Sequence, residues 1–153
     1  PEHSSRFTGG PGYFHHIESA VRTLLDELGL KAEDFSAAVF HQPNVRFPQK
    51  VAQTLGFSRD QIRAGLLSRQ IGNAYSSSAL LGLAATLDEA RPGDRILLAS
   101  YGSGAGSDAF CFAVTERINA TKDGVPTTRD YIDRTLAVDY ITYARLKGKI
   151  NNS

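Results

Sequence analysis

Three side chains in this sequence have types and settings that could do chemistry. His41 closes the apolar run Ala38-Val39-Phe40 and is followed at once by Gln42-Pro43-Asn44. An imidazole at the end of a buried strand is a candidate for proton transfer or hydrogen bonding, because strand ends and the loops after them carry the sites of α/β folds. Taken alone, a boundary histidine satisfied by its neighbours is the commoner occurrence. Asn73, in Ile71-Gly72-Asn73-Ala74-Tyr75-Ser76, offers a neutral amide, although Gly-Asn before a serine-rich stretch is more often a turn or a helix cap. Cys111 is the one cysteine, and a lone cysteine together with a histidine raises the question of a thiol nucleophile. It lies between Phe110 and Phe112 with no cation near it in sequence. Such surroundings leave a thiol inert, so Cys111 is expected to be a buried structural residue.

Two further patterns are weaker. The run Gly102-Ser103-Gly104-Ala105-Gly106 is shaped like a phosphate loop, but it lacks the lysine and the Ser or Thr that end one. It also precedes an apolar strand where a helix would be needed. Its glycines read instead as backbone that must pass close to a ligand or a neighbouring side chain. His15 and His16 fall on a predicted helix, where adjacent residues point about 100° apart and make a poor metal pair. They are expected at the surface or its boundary.

The elements that must position these groups follow from periodicity. Residues 1–12 form an exposed leading loop rich in Ser, Gly and Pro. Phe14, Ile17, Val21, Leu24, Leu25 and Leu28 recur at helical spacing, with Gly29 as a stop, so a helix is predicted over 13–28. Residues 36–40 read as a buried strand of a parallel sheet. A second helix begins around Pro48, carries Val51, Ala52 and Leu55 on one face and ends at Gly56. Leu66 and Leu67 are assigned to a short strand, and Ile71-Gly72-Asn73 to a turn. From Ser76 a helix with serine caps is predicted to bury Ala79, Leu80, Leu83, Ala84 and Leu87, closing at Pro92-Gly93. Strands over 96–100 and 109–114 form a hairpin-like pair with a wide turn. Residues 119–128 read as polar loop, and 129–147 as a late helix or extended segment.

Composition bounds the rest. The 153 residues suffice for one domain with a core, and 41% hydrophobic with 22% charged residues is ordinary for a globular protein. A net charge of +1, with basic residues scattered, gives no field for nucleic acid or a membrane surface. A single cysteine excludes a disulfide framework and a thiolate zinc site and fits a reducing cytoplasm. No apolar run is long enough to span a bilayer. The order of strands and helices, with apolar runs that do not alternate, argues for a layered α/β domain.

In combination the weak signals gain specificity. Arg6-Phe7-Thr8-Gly9 with Tyr13-Phe14, Phe40-His41-Gln42-Pro43-Asn44, Phe47-Pro48 and Leu55-Gly56-Phe57 occur in order. Gly72-Asn73-Ala74-Tyr75-Ser76, Gly82-Leu83-Ala84, Pro92-Gly93-Asp94 and Ser100-Tyr101-Gly102-Ser103-Gly104-Ala105-Gly106-Ser107-Asp108 continue the series. This chain resembles the C-terminal half of the hydroxymethylglutaryl-CoA synthases of archaeal and bacterial type, a family within the thiolase-like superfamily. The match covers about residues 4–148.

The resemblance implies a fold and a chemistry. The chain would be a single unit, residues 1–153, with 119–153 as its C-terminal extension. That unit is one half of a thiolase-like α-β-α-β-α layered fold, an α/β unit with a mixed sheet and packed helices. The family condenses acetyl-CoA with acetoacetyl-CoA to 3-hydroxy-3-methylglutaryl-CoA, for the mevalonate route to isoprenoids. His41 matches the family's catalytic histidine, which polarises the acceptor ketone; an imidazole N–H can stabilise the negative charge that develops there. Asn73 matches the active-site asparagine, and Ser103 and, less closely, Thr8 match substrate-contacting residues. Arg46 and Lys50 match basic residues that meet CoA. Lysine is usual at the first of these, so Arg46 keeps the charge and changes the geometry. Without the resemblance, the pair reads as a solvated helix start.

The family's nucleophilic cysteine and general-base glutamate belong to the N-terminal half, which is therefore an implied partner. No metal or cofactor is implied. The resemblance further implies a homodimer of whole enzymes, and assembly with an acetoacetyl-CoA thiolase and a small zinc-containing bridging protein. Two alternatives stand beside it: another thiolase-like condensing enzyme of the ketoacyl synthase III kind, and a non-catalytic acyl-CoA-binding scaffold.

Overall fold

The protein is described here from a computed structural model covering residues 10–102 and 106–150. Its centre is the strand that leads to His41. β1 (Ala37–Phe40) pairs parallel with β2 (Arg95–Ala99), with Ala37 opposite Ile96 and Phe40 opposite Ala99. β2 pairs antiparallel with β3 (Ala109–Ala113), so the mixed sheet has the order β1-β2-β3. A parallel pair needs a long crossover; here residues 41–94 supply it, and most of the candidate site lies within that connection.

One face of the sheet is covered by α1 (His15–Leu28), introduced by a π-type turn over Gly10–Phe14, and by α2 (Arg46–Thr54). Tyr13 in that turn with Ile17 and Val21 on α1, and Val51, Ala52 and Leu55 on and just after α2, pack on Ala38, Phe40, Leu97 and Ala99 in the main core. Gly29, at φ +62°, closes α1 in the left-handed conformation that costs glycine little. α3 (Arg59–Arg63) opens with a reciprocal cap between Ser58 and Gln61. The Gln61 amide also donates to the carbonyls of Ala32 and Phe35, each at 2.7 Å.

The expected strand at Leu66-Leu67 does not form. The chain turns into α4 (Ser68–Ile71), because the N–H groups of Leu67 and Ser68 are taken by the side chain of Gln42 rather than by a sheet partner. Gly72 follows at φ +72°, so the predicted turn is present.

α5 (Ser77–Glu89) covers the other face of the sheet; of the predicted apolar face, Ala79 is buried and Leu83 and Leu87 pack half-buried against the core, whereas Leu80 and Ala84 do not. Ser78, Ala79, Gly82, Ala85 and Thr86 are buried, while Leu80 is 63% exposed and Ala84 faces outward. Close approach decides this. A Cβ on Gly82 would stand 2.8 Å from the Gly65 carbonyl oxygen and 2.8 Å from Val39, so only the small-residue side fits against β1. Ser76 makes no cap bond; the hydroxyl of Ser78 instead accepts from the N–H of Ala74.

α5 covers β1 and β2 and leaves β3 bare. Phe110 and Phe112, on the same side of the sheet as Leu98, are 47% and 38% exposed and stack on each other at 6.1 Å. Cys111, on the opposite side, packs against the main core but is only half-buried. The segment read as polar loop, 119–128, begins inside α6 (Arg117–Lys122), whose Asn, Thr and Lys residues carry no apolar period. α7 (Thr128–Asp133) and α8 (Tyr140–Leu146) resolve the late segment as helix. Thr127 and Asp139 cap them, and Thr128 ties α7 to α5 through Asp88. Among the described residues no helix is long and apolar enough to cross a membrane.

Candidate active site

His41 sits one residue beyond the C-terminal end of β1. Its N–H continues the ladder by donating to the Ala99 carbonyl at 2.8 Å. Its own carbonyl accepts from the phenol of Tyr13, which arrives from the start of α1. Both main-chain groups of the residue are thus held, and the ring projects among aromatic neighbours. The Tyr101 ring lies 6.0 Å from the imidazole and the Tyr13 ring 6.3 Å from it, centroid to centroid. Phe47 and Phe14 extend this wall, at 5.0 and 5.2 Å from Tyr13.

Burial sets the electrostatics. His41 is 8% exposed, and loss of water disfavours its charged form, so its pKa lies below the ordinary 6.5. Neither ring nitrogen meets a protein partner among the described residues. At neutral pH the imidazole is therefore mostly neutral, with an N–H on one ring nitrogen and a lone pair on the other. Burial also pushes the phenols of Tyr13 and Tyr101 above the usual tyrosine range. Tyr13 therefore stays protonated and keeps the O–H that it donates to the His41 carbonyl.

Asn73 stands in the loop between α4 and α5. Its Oδ1 accepts from the N–H of Tyr75 at 2.8 Å and from the hydroxyl of Ser78 at 3.5 Å. Asn73 is exposed, and its carboxamide Nδ2 meets no acceptor among the described residues. Tyr75, next in this loop, has φ +52°, a conformation uncommon for a side chain of its size, and is 77% exposed. Asn73 and His41 come from segments more than thirty residues apart in the chain. Hydrogen bonds nevertheless link them: Gln42, next to His41, donates to the Ser78 carbonyl at 3.4 Å, and Ser78 holds Asn73.

Arg46 and Lys50 lie one turn apart on α2, both exposed. The Asn44 side chain caps this helix start, accepting from the N–H groups of Arg46 and Phe47 at 2.9 and 3.1 Å. Lys50 Nζ lies over the Phe14 ring, 5.0 Å from its centroid, which places its charge beside the aromatic wall. Thr8 and Ser103 lie outside the described residues. Gly102 and Gly106 pair with each other across the segment that contains Ser103, and Tyr101 at its base is the residue facing His41. His15 and His16 are exposed and half-buried, as expected. Among the described residues no group of three metal-binding side chains occurs. A cleft of ≈ 160 Å³ beside Ser36, Arg63 and Asp94 lies at the other end of the strands, where Arg63 pairs with Glu89 at 2.5 Å.

Tyr13, Gln42 and Tyr101 were not singled out as site residues from the sequence. Each acts across a long separation, and a residue-by-residue reading has no signal for such contacts.

Residues 25–115 match the family model described as 3-Oxoacyl-[acyl-carrier-protein (ACP)] synthase III C terminal. The chain belongs to this family. A hydroxymethylglutaryl-CoA synthase from Methanosarcina barkeri is 54% identical over 153 residues, which is 100% of this chain and 44% of that protein. The chain thus spans less than half the length of the curated relatives it matches. Among solved structures, 3-oxoacyl-(acyl carrier protein) synthase III from Pseudomonas aeruginosa PAO1 is similar with a TM-score of 0.61 at 25% identity, over 68% of this chain and 33% of that one. The HMG synthase of the curacin biosynthetic pathway, in complex with apo donor-ACP, has a TM-score of 0.73 at 21% identity, over 90% of this chain and 38% of that one. The fold is therefore the condensing-enzyme fold, with the mixed sheet and packed helices expected of a thiolase-like half.

Proposed function

We propose that this chain is the C-terminal part of a hydroxymethylglutaryl-CoA synthase. The observation that carries the reading is the 54% identity to the M. barkeri synthase along the entire chain, and the arrangement around His41 suits the chemistry. An acetyl group carried as a thioester on a cysteine of the N-terminal half loses a proton from its methyl carbon to the glutamate of that half. The carbanion equivalent attacks the ketone carbon of acetoacetyl-CoA, and the carbonyl electron pair moves onto oxygen. His41, neutral and with an open N–H, donates to that oxygen, and the alkoxide is protonated to the tertiary alcohol. Water then releases 3-hydroxy-3-methylglutaryl-CoA and restores the thiol. Asn73 Nδ2 donates to a thioester carbonyl or orients its neighbours, with Ser103 and Thr8 as further substrate contacts. Arg46 and Lys50 meet the phosphates of CoA at the rim.

On this reading the two CoA thioesters are substrates and no cofactor is needed. The enzyme works in the cytoplasm, feeds isoprenoid synthesis and functions as a dimer of whole enzymes. An assembly with an acetoacetyl-CoA thiolase and a small zinc-containing bridging protein belongs to the same proposal. A second reading, condensation onto an acyl carrier protein, is favoured by the family model that matches residues 25–115. Incubating this chain, together with the N-terminal half, with acetyl-CoA and either acetoacetyl-CoA or malonylated carrier protein separates the two. Formation of 3-hydroxy-3-methylglutaryl-CoA is expected; condensation with malonylated carrier protein in its place would overturn the proposal.

A further inference from the structure

We infer that Gln42 is the positioning residue of this site, the group that sets where His41 and Asn73 stand relative to each other. The inference rests on the condensing-enzyme reading above and assigns the work to a side chain that reaches no substrate. Gln42 is 2% exposed. A carboxamide offers two donor hydrogens and two acceptor lone pairs, and here all four are used on main-chain groups. Nε2 donates to the carbonyls of Gly65 at 2.7 Å and Ser78 at 3.4 Å. Oε1 accepts from the N–H groups of Leu67 at 2.7 Å and Ser68 at 2.8 Å.

These partners come from two separate pieces of chain: the stretch 65–68 that leads from α3 into α4, and the first turn of α5. One amide therefore locks the two ends of the loop carrying Asn73 to the residue after His41. Ser78 completes the link, because its carbonyl is held by Gln42 while its hydroxyl meets the Asn73 carboxamide at 3.5 Å and the Ala74 N–H at 3.1 Å. Two glycines let the surrounding backbone close in on this region. A Cβ on Gly82 would stand 3.1 Å from Gln42 Nε2, and one on Gly65 would stand 3.0 Å from both Thr86 and Val39. An apolar side chain of the same shape would fill the space but leave buried N–H and carbonyl groups unsatisfied. The sequence Phe40-His41-Gln42 thus puts the chemical group and its positioning group on consecutive residues, one facing the site and one facing the interior.

The test uses the active protein, this chain with its N-terminal half, and the variant Gln42→Glu. The carboxylate keeps acceptors for Leu67 and Ser68 but turns the donor end toward the Gly65 and Ser78 carbonyls into an acceptor. Burial raises a carboxyl pKa, so acidification restores a donor. Per folded molecule, kcat for condensation is expected to fall about 100-fold at neutral pH, the scale of a small misplacement of catalytic groups, with acetyl transfer from acetyl-CoA onto the enzyme changed less than about twofold. The ratio of variant to wild-type kcat should rise as pH falls. Condensation kcat within about twofold of wild type, or a parallel loss of acetyl transfer, would overturn the inference, since a merely structural role predicts one or the other. Should Gln42→Glu fail to fold, Ser78→Ala removes the last link to Asn73; condensation is then expected to fall about tenfold with acetyl transfer intact, and an unchanged kcat overturns the inference. Wild-type protein that forms no condensation product overturns the functional reading itself, a result seen before any variant is made.

Discussion

The phenol of Tyr13 donates to the main-chain carbonyl of His41, and both residues are buried. The contact spans 28 positions of sequence and joins the beginning of α1 to the end of β1. It closes the hydrogen-bonding account of the His41 backbone, whose N–H is already held by Ala99. The orientation of the imidazole therefore depends on a helix whose first turns carry the aromatic wall of the site.

Tyr13→Phe keeps the ring packing and deletes this bond. A buried carbonyl left without its donor costs about 1–3 kcal/mol, so a lower melting temperature is expected. The rate of condensation should fall with it, because the histidine loses one of two backbone anchors. Thermal unfolding together with single-turnover kinetics checks both effects. Unchanged stability would show that the carbonyl finds another partner.

His41 titrates below 6.5 because burial disfavours its cationic form. On acidification the unfolded chain takes up its proton first. The stability tied to the neutral ring is thus fully present above the unfolded-state value and is lost as pH falls through the folded-state pKa. Activity should follow the same order, holding through neutrality and dropping on the acid side as the ring becomes cationic. NMR titration, with the His41 resonance identified by its absence in His41→Asn, is expected to give a value below 6.5.

Gly82→Ala tests the close approach of α5 to β1. Alanine gains about 1 kcal/mol of helix propensity over glycine. The added methyl would meet the Gly65 carbonyl and Val39 at 2.8 Å, and overpacking of this kind costs about 1–3 kcal/mol. Backbone cannot step aside as a flexible side chain can, so net destabilisation is expected in chemical denaturation.

The bare side of β3 carries Phe110 and Phe112, with Leu80 exposed on α5 and Leu136, Tyr140 and Leu146 exposed further along the chain. So much uncovered apolar surface favours association. The chain expressed alone should sediment as a self-associated species, and Phe110→Ser with Phe112→Ser should shift it toward the monomer. A monodisperse 16.6 kDa species that unfolds cooperatively would contradict this.

Much of the fold was legible because its elements carry local signals. The α1 period ending in Gly29, the unbroken runs of β1 and β2, and the turn at Gly72 each depend on neighbours within a few residues. Where the reading failed, a distant group decided. Gln42 captured the N–H groups of Leu67 and Ser68 and made a helix start of an expected strand. Gly65 and Gly82 turned the small side of α5 inward against the pull of Leu80. At the candidate site, the sequence pointed to His41, Asn73 and the Arg46–Lys50 pair as the groups to look for; the structure places His41 at the buried end of β1 and the other three exposed. Tyr13, Gln42 and Tyr101 reach the same site from other segments, and spacing along the chain cannot reveal them.

The central claim is that His41 acts on the acceptor ketone and not on the loading of the acetyl group. Enzyme preloaded with labelled acetyl group, built from this chain and its N-terminal half, can be mixed with acetoacetyl-CoA and quenched over time. For His41→Asn the account predicts normal acetyl loading, with transfer to acetoacetyl-CoA slowed about 100-fold or more, the scale of losing one oxyanion donor. Transfer at the wild-type rate in that variant would contradict it.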